Sequence, residues 1–312
     1  MGHLPEASAW AIRFGINVQR PDMLSIHAGD DGLPQVVAQL SGVAVYLDNW
    51  AIIELANGDP KRRERFVAAL KSCGSLLFSF TNSIELGEAE GEPAERVRVF
   101  LDEIGAHWIP LELNPWTVAK REAAGKTEPT PCISFVFVEA FFKDRLYELS
   151  PGGSKIVDLS ADNFFKMSSA MKWANEQKDQ TRAGTKEIDD TLITRVASDY
   201  AEFKKDPSSL DKTVPLVEYG QATPARFALL NLLRQLVSEA KQFTLKKGDG
   251  RDLCHAVLGS AYGSLAALDK HWKRCVEALS KPNGLARIYS ANELDMLVGD
   301  LEGAANALRK HT

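Results

Sequence analysis

Apolar positions along the chain fall into two kinds of segment that take turns. Residues 43–47 (Val-Ala-Val-Tyr-Leu) are apolar without interruption and rich in β-formers, as in a strand covered on both faces. Asp59-Pro60 then opens a stretch in which Phe66, Val67 and Leu70 recur at helical spacing up to Gly74. Asp59 suits a cap and Pro60 the first helical position. Leu76 to Phe80 is a second apolar run, followed from Thr81-Asn82 by a helix bearing Ile84, Glu85 and Leu86. A further helix is expected from Pro93 to just before Gly105, and His107 to Leu113 reads as a third strand. Strand, helix, strand, helix, strand is the alternation of an α/β unit with a parallel sheet.

From Pro115 to about Lys241 that rhythm stops, and helix formers and charges dominate. A helix over Ala225 to Lys241 is expected to pack back on the core through Phe227, Leu230, Leu233, Leu236 and Val237. The alternation then resumes with a Gly248-Asp249-Gly250 turn, a helix from about Asp252, and a short run Leu265 to Leu268 ending at Asp269. Ser290-Ala-Asn-Glu293 fits a capping box for a last amphipathic helix carrying Leu294, Leu297, Leu301 and Leu308. The expected fold is a three-layer α/β/α arrangement around a central, mainly parallel sheet. Its parts are an N-terminal extension (1–40), an α/β core (41–113 and 241–275), a mostly helical insertion (114–240) and a C-terminal helical extension (276–312).

Composition sets outer limits. With 312 residues, 45% hydrophobic and 25% charged, the chain is long enough for a substantial core and ordinary for a globular protein. No apolar run approaches the 18 or so residues a membrane span needs; Ile133 to Phe142 is short and holds Glu139. Residues 1–20 lack the pattern of a secretory signal, so a cytoplasmic protein with no membrane partner is expected. Cys73, Cys132, Cys254 and Cys275 form no C-x-x-C pair and read as reduced, buried thiols. Gly125-Lys126-Thr127 lacks the first glycine of a phosphate loop, since position 120 is Lys120.

Acidic residues fall at telling places. Asp48 directly follows the first strand, Glu85 lies on the helix after the second, Asp252 opens the helix after the glycine turn, and Asp269 follows a late strand. In an open α/β sheet the ligand crevice lies beyond the carboxyl ends of the strands, so these carboxylates can converge there. Crowded carboxylates need a cation to stay ionised, and oxygen-only ligation suits Mg²⁺ or Mn²⁺. Such an ion can activate water for in-line displacement at a phosphodiester.

The segments Val43-Ala-Val-Tyr-Leu-Asp48-Asn49, Ser79-Phe-Thr-Asn-Ser-Ile-Glu85-Leu86, Asp252-Leu-Cys-His255-Ala256 and Leu268-Asp269-Lys270 resemble, in order, the successive motifs of PIN-domain nucleases. That resemblance spans about a third of the chain. It implies an acidic metal site of Asp48, Glu85, Asp252 and Asp269 that holds Mg²⁺ or Mn²⁺ and hydrolyses RNA, less often DNA. Asn49, Ser83 and Lys270 are candidates for supporting the ligands or contacting phosphate. His255, three residues after Asp252, fits a packed or hydrogen-bonded role better than a ligand's.

Each carboxylate also has a plain structural use. Asp48 can cap the helix that starts at Asn49, Glu85 can close a capping box begun by Asn82, Asp252 can complement a helix dipole, and Asp269 can serve a turn. The net charge of −5 conceals segregation that bears on substrate. Lys61, Arg62, Arg63, Arg65 and Lys71 stand against Glu64 alone in residues 61–74, whereas residues 84–103 are strongly acidic. Lys246, Lys247 and Arg251, then Lys273 and Arg274, flank the later motifs and could neutralise phosphates, although such residues usually solvate helix faces. The expectation is a metal-dependent endoribonuclease. Its alternatives are an inactive scaffold of the same fold that docks a protein through the helical insertion, or a metal-dependent small phosphoesterase.

Overall fold

The structure is a computed structural model that describes residues 24–28, 34–38, 42–112, 114–125, 132–134, 166–240, 245–280 and 284–309. Of the N-terminal extension it describes an antiparallel ribbon, β1 (Leu24–Ala28) with β2 (Pro34–Ala38), registered Leu24 opposite Ala38. Much of the first half of the expected insertion and Leu113 of the expected third strand lie outside the described residues.

The core is a five-stranded, all-parallel sheet ordered β5-β4-β3-β6-β7: β3 (Val43–Leu47), β4 (Gly74–Ser79), β5 (Trp108–Leu111), β6 (Leu265–Ala267) and β7 (Arg287–Tyr289). Every position of β4 and β5 is buried, which explains why these runs are apolar throughout instead of alternating. Tyr46, Leu47, Phe78 and Trp108 are fully buried. Each such side chain contributes about 1.5–3 kcal/mol by leaving water.

Helices cover both faces, giving three layers. Between β3 and β4 run α1 (Asn49–Asn57) and α2 (Pro60–Cys73); α3 (Phe80–Gly87) and α4 (Glu92–Ile104) lead to β5. After α5 (Pro115–Ala123) come α6 (Met167–Glu176), the 28-residue α7 (Lys178–Lys205), the short α8 (Leu210–Thr213) and α9 (Pro224–Glu239). The chain returns to the sheet through α10 (Asp249–Tyr262), α11 (Lys270–Glu277) and the last helix, α12 (Leu294–Arg309). Helix α2 packs on α12, while α10 lies against β3 and β6 and is covered by α9 and α7. A Cβ on Gly259 would sit 2.5 Å from the Tyr46 ring, so glycine there lets α10 lie directly on β3.

One boundary differs from the sequence reading. The sheet continues past residue 275: β7, inside the expected C-terminal helical extension, pairs with β6 through Ala266 and Ile288. Three residues carry too little periodicity to announce a strand. The second half of the expected insertion packs back on the core, as the helix over Ala225 to Lys241 was expected to: α7 and α9 both lie on α10. The cap at Asp59, whose side chain accepts from Lys61 N at 3.0 Å, and the Ser290–Glu293 capping box stand where expected. All four cysteines are free and buried.

Candidate active site

Strands β3 and β6 are neighbours, but the chain leaves β3 toward β4 and β6 toward β7. This divergence is a topological switch point, where doubly wound sheets open a crevice at the carboxyl ends of the strands. Asp48 follows β3 and Asp269 follows β6, so the two flank the crevice; the backbone N–H of Asp48 donates to Ala267 O at 3.1 Å. Each aspartate also caps the helix it precedes. Oδ1 of Asp48 accepts from Asn49 N at 2.7 Å, and Oδ1 of Asp269 accepts from Trp272 N at 2.8 Å. Capping uses one oxygen of each carboxylate, so the structural role and a site role coexist.

Asp252 lies in the first turn of α10 rather than at its start, because Gly248 is the cap. Among the described residues its carboxylate makes neither a hydrogen bond nor an ion pair. Burial pushes its pKa up to about 7, and the charges of Asp48, Asp269 and Asp249 push the same way against the opposing Arg251. Burial likewise raises Asp48 to about 6, with Asp269 adding to the rise and the Asn49 N–H opposing it. Three aspartates from three distant segments thus feel one another's charge.

Glu85 is held differently. The capping box of α3 is formed by Ser79 and Asn82: Ser79 Oγ accepts from Asn82 N and Asn82 Oδ1 accepts from Ser79 N, both at 3.1 Å. The cap therefore lies three residues earlier than expected, and Glu85 is left out of it. Its carboxylate instead accepts short hydrogen bonds from Asn49 Nδ2 and from the Arg251 guanidinium. Asn49 is itself fixed by Asn82, whose Nδ2 donates to Asn49 Oδ1 at 2.7 Å. Asn49 thereby ties α1 to α3 and supports Glu85.

Beneath these groups the fully buried Tyr46 hydroxyl meets His255 Nδ1 in a short hydrogen bond. Burial lowers the His255 pKa to about 4, keeping the imidazole neutral. Burial also raises the Tyr46 phenol, and the charges of Asp48, Glu85 and Asp252 add to that rise, so this buried pair lies within the field of three of the expected site carboxylates. His255 is packed, as its sequence context suggested, and its Nε2 has no hydrogen-bond partner among the described residues.

The other candidates divide. Ser83 is buried, and its hydroxyl donates to O of the cap residue Ser79 at 3.3 Å. Lys270 is exposed at the first position of α11. On α2, Arg62 pairs with Glu54 at 3.2 Å and Asp295 at 3.0 Å, and Arg63 pairs with Glu103. Lys273 pairs with Glu293 at 2.5 Å and Glu277 at 3.6 Å, and Arg274 lies 3.4 Å from His271 Nδ1. Lys61, Lys246 and Lys247 are exposed and make no ion pair among the described residues. Sequence reasoning missed Asp189, a buried carboxylate of α7 that binds the turn before Asp252; only the glycines of that turn hinted at a close approach.

Among the described residues, no group of three or more His, Cys, Asp or Glu lies close enough to hold a metal ion. The donor chemistry still fits Mg²⁺ or Mn²⁺. Mg²⁺ keeps several waters and commonly takes only one or two protein carboxylates, and Asp252 is a desolvated carboxylate with no ion pair among the described residues. No helix among the described residues is long and apolar enough to cross a membrane. Comparison with known proteins adds no relative: no family model, no curated protein and no solved structure matches the chain.

Proposed function

We propose that the chain is a metal-dependent nuclease of PIN-like type that hydrolyses RNA, with Asp48, Asp252 and Asp269 as the carboxylates that take Mg²⁺ or Mn²⁺. The observation that carries this reading is the electrostatic coupling of three aspartates from separate segments at the switch point, one of which, Asp252, makes no side-chain hydrogen bond or ion pair among the described residues. When bound, the ion supplies Lewis-acid activation of water and charge stabilisation at the phosphate. The caps on Asp48 and Asp269 hold those carboxylates at fixed angles, and Asn49 does the same for Glu85. Arg251, paired with Glu85, is in this reading the guanidinium that meets a backbone phosphate. Exposed Lys246, Lys247 and Lys270 offer charge to the rest of a strand.

A second reading draws on Glu85. With its carboxylate taken by Asn49 and Arg251, an inactive scaffold that binds a protein partner is the alternative. The two separate in one assay. Single-stranded RNA, DNA and a small phosphoester are offered with Mg²⁺ or Mn²⁺ to the parent chain, Asp48→Asn and Asp252→Asn. RNA cleavage by the parent, lost in both variants, is expected. Equal cleavage by all three chains sinks the assignment, and cleavage of the small ester alone turns it to a phosphoesterase.

A further inference from the structure

We propose that Asp189, on α7, is a positioning residue for this acidic centre; the proposal rests on the nuclease reading above. Its side chain is 4% exposed and reaches from α7 to the turn that starts α10. Oδ1 accepts from Gly250 N at 2.9 Å and Arg251 N at 3.3 Å, and Oδ2 accepts from Gly248 N at 3.2 Å. A helix start leaves such N–H groups unpaired, and the residue at the cap normally satisfies them. Here the cap is Gly248, which has no side chain, so the oxygens come from a residue 59 positions upstream.

The glycines follow from this arrangement. Gly248 has φ +103°, a conformation other residues rarely adopt, and a Cβ on Gly250 would lie 2.6 Å from Asp189 Oδ1 and 2.9 Å from its Cα. Asp252 is the residue after Arg251, and Arg251 Nε also lies 4.0 Å from Asp189 Oδ2 while its guanidinium holds Glu85. One buried carboxylate therefore sets the turn that aims Asp252 and anchors the cation opposite Glu85. Asp48 and Asp269 cap their own helices, but Asp252 depends on a cap borrowed from α7. In this way the helical segment between the two halves of the core becomes part of the site.

The test uses full-length Asp189→Asn, Asp189→Ala and Asp252→Asn. Mn²⁺ affinity is measured by calorimetry without substrate, and amide hydrogen exchange is followed residue by residue. Asp252→Asn is expected to lose Mn²⁺ binding. Both Asp189 variants should weaken it about 10–100-fold, the usual effect of removing a group that orients a ligand, with faster exchange confined to residues 248–252. Asp189→Asn keeps the side-chain volume and decides the matter alone if Asp189→Ala does not fold. Parent-like Mn²⁺ affinity in Asp189→Asn, beside lost binding in Asp252→Asn, overturns the positioning role and leaves the nuclease reading intact. Acceleration of exchange throughout the chain with unchanged Mn²⁺ affinity overturns it too. Parent-like affinity in Asp252→Asn removes the nuclease reading and this proposal together.

Discussion

Two charge clusters on this molecule are built on opposite principles. The arginines of α2 are each matched by a carboxylate: Arg62 by Glu54 and Asp295, Arg63 by Glu103, Arg65 by Glu302. At the carboxyl ends of β3 and β6 the aspartates are matched by one another, like charge facing like, and burial makes the conflict worse. The first cluster is complete within the chain. Such pairs stitch α1, α4 and α12 to α2 and are individually weak in water. The second opposes folding, and groups so perturbed concentrate where a ligand supplies the missing charge.

The comparison breaks first at Asp252. Asp252→Asn should reduce metal-stimulated RNA cleavage by more than about 100-fold, beyond the range typical of residues that merely support a ligand. The same change should stabilise the metal-free protein. Folded-state values of about 7 for Asp252 and about 6 for Asp48 stand above the ordinary 3.8, so the folded chain binds more protons than the unfolded one between these limits. Stability from this source is fully present below about pH 4 and is lost as pH rises through 6 to 7. His255 runs the other way: its value of about 4 lies below the ordinary 6.5, so it removes stability as pH falls from 6.5 toward 4. Thermal melts of parent and Asp252→Asn isolate the carboxylate, since His255 is common to both.

At pH 8 the variant should be more stable by about 1–2 kcal/mol after allowance for partial exposure, a Tm higher by roughly 1.5–3 °C; at pH 4 the two should coincide. Mn²⁺ added at pH 8 should raise the Tm of the parent alone. A variant less stable than the parent at pH 8 would mean that Asp252 is satisfied in a way this site does not provide.

Much of this was legible in the sequence, and for physical reasons. Strands β3 and β4 are buried on both faces, so their apolar runs are unbroken; Asp48 and Asp269 sit at strand ends because that is where a parallel sheet presents them. What the sequence hid is long-range pairing. Arg63 looks like a free cation until Glu103 is brought 40 residues back to it, and Asp189 looks like any helical acid until α7 lies across Gly250. Local patterns carry caps and periods, whereas neutralisation is a tertiary property. For the same reason the capping box of α3 was misplaced: Asn82 can open such a box or close it, and only the backbone shows Ser79 at the cap.

The smallest effects sharpen the comparison by separating paired from unpaired cations. Lys246 and Lys247 are exposed beside the turn into α10 and have no ion pair among the described residues, whereas Arg65 donates to Glu302 at 2.9 and 2.6 Å. If the unpaired lysines meet the phosphate backbone, the double change Lys246→Ala with Lys247→Ala should weaken binding of single-stranded RNA. It should also flatten the dependence of log affinity on log salt by about 1.4, the slope expected for two lost phosphate contacts on a single strand. Arg65→Ala should leave that slope unchanged and shift Tm by no more than about 2 °C, because an exposed pair holds little stability. Fluorescence anisotropy across a salt series reads both slopes. A flatter slope in Arg65→Ala than in the lysine pair would place the nucleic acid across α2 instead of at the strand ends, and the two clusters would have to exchange roles.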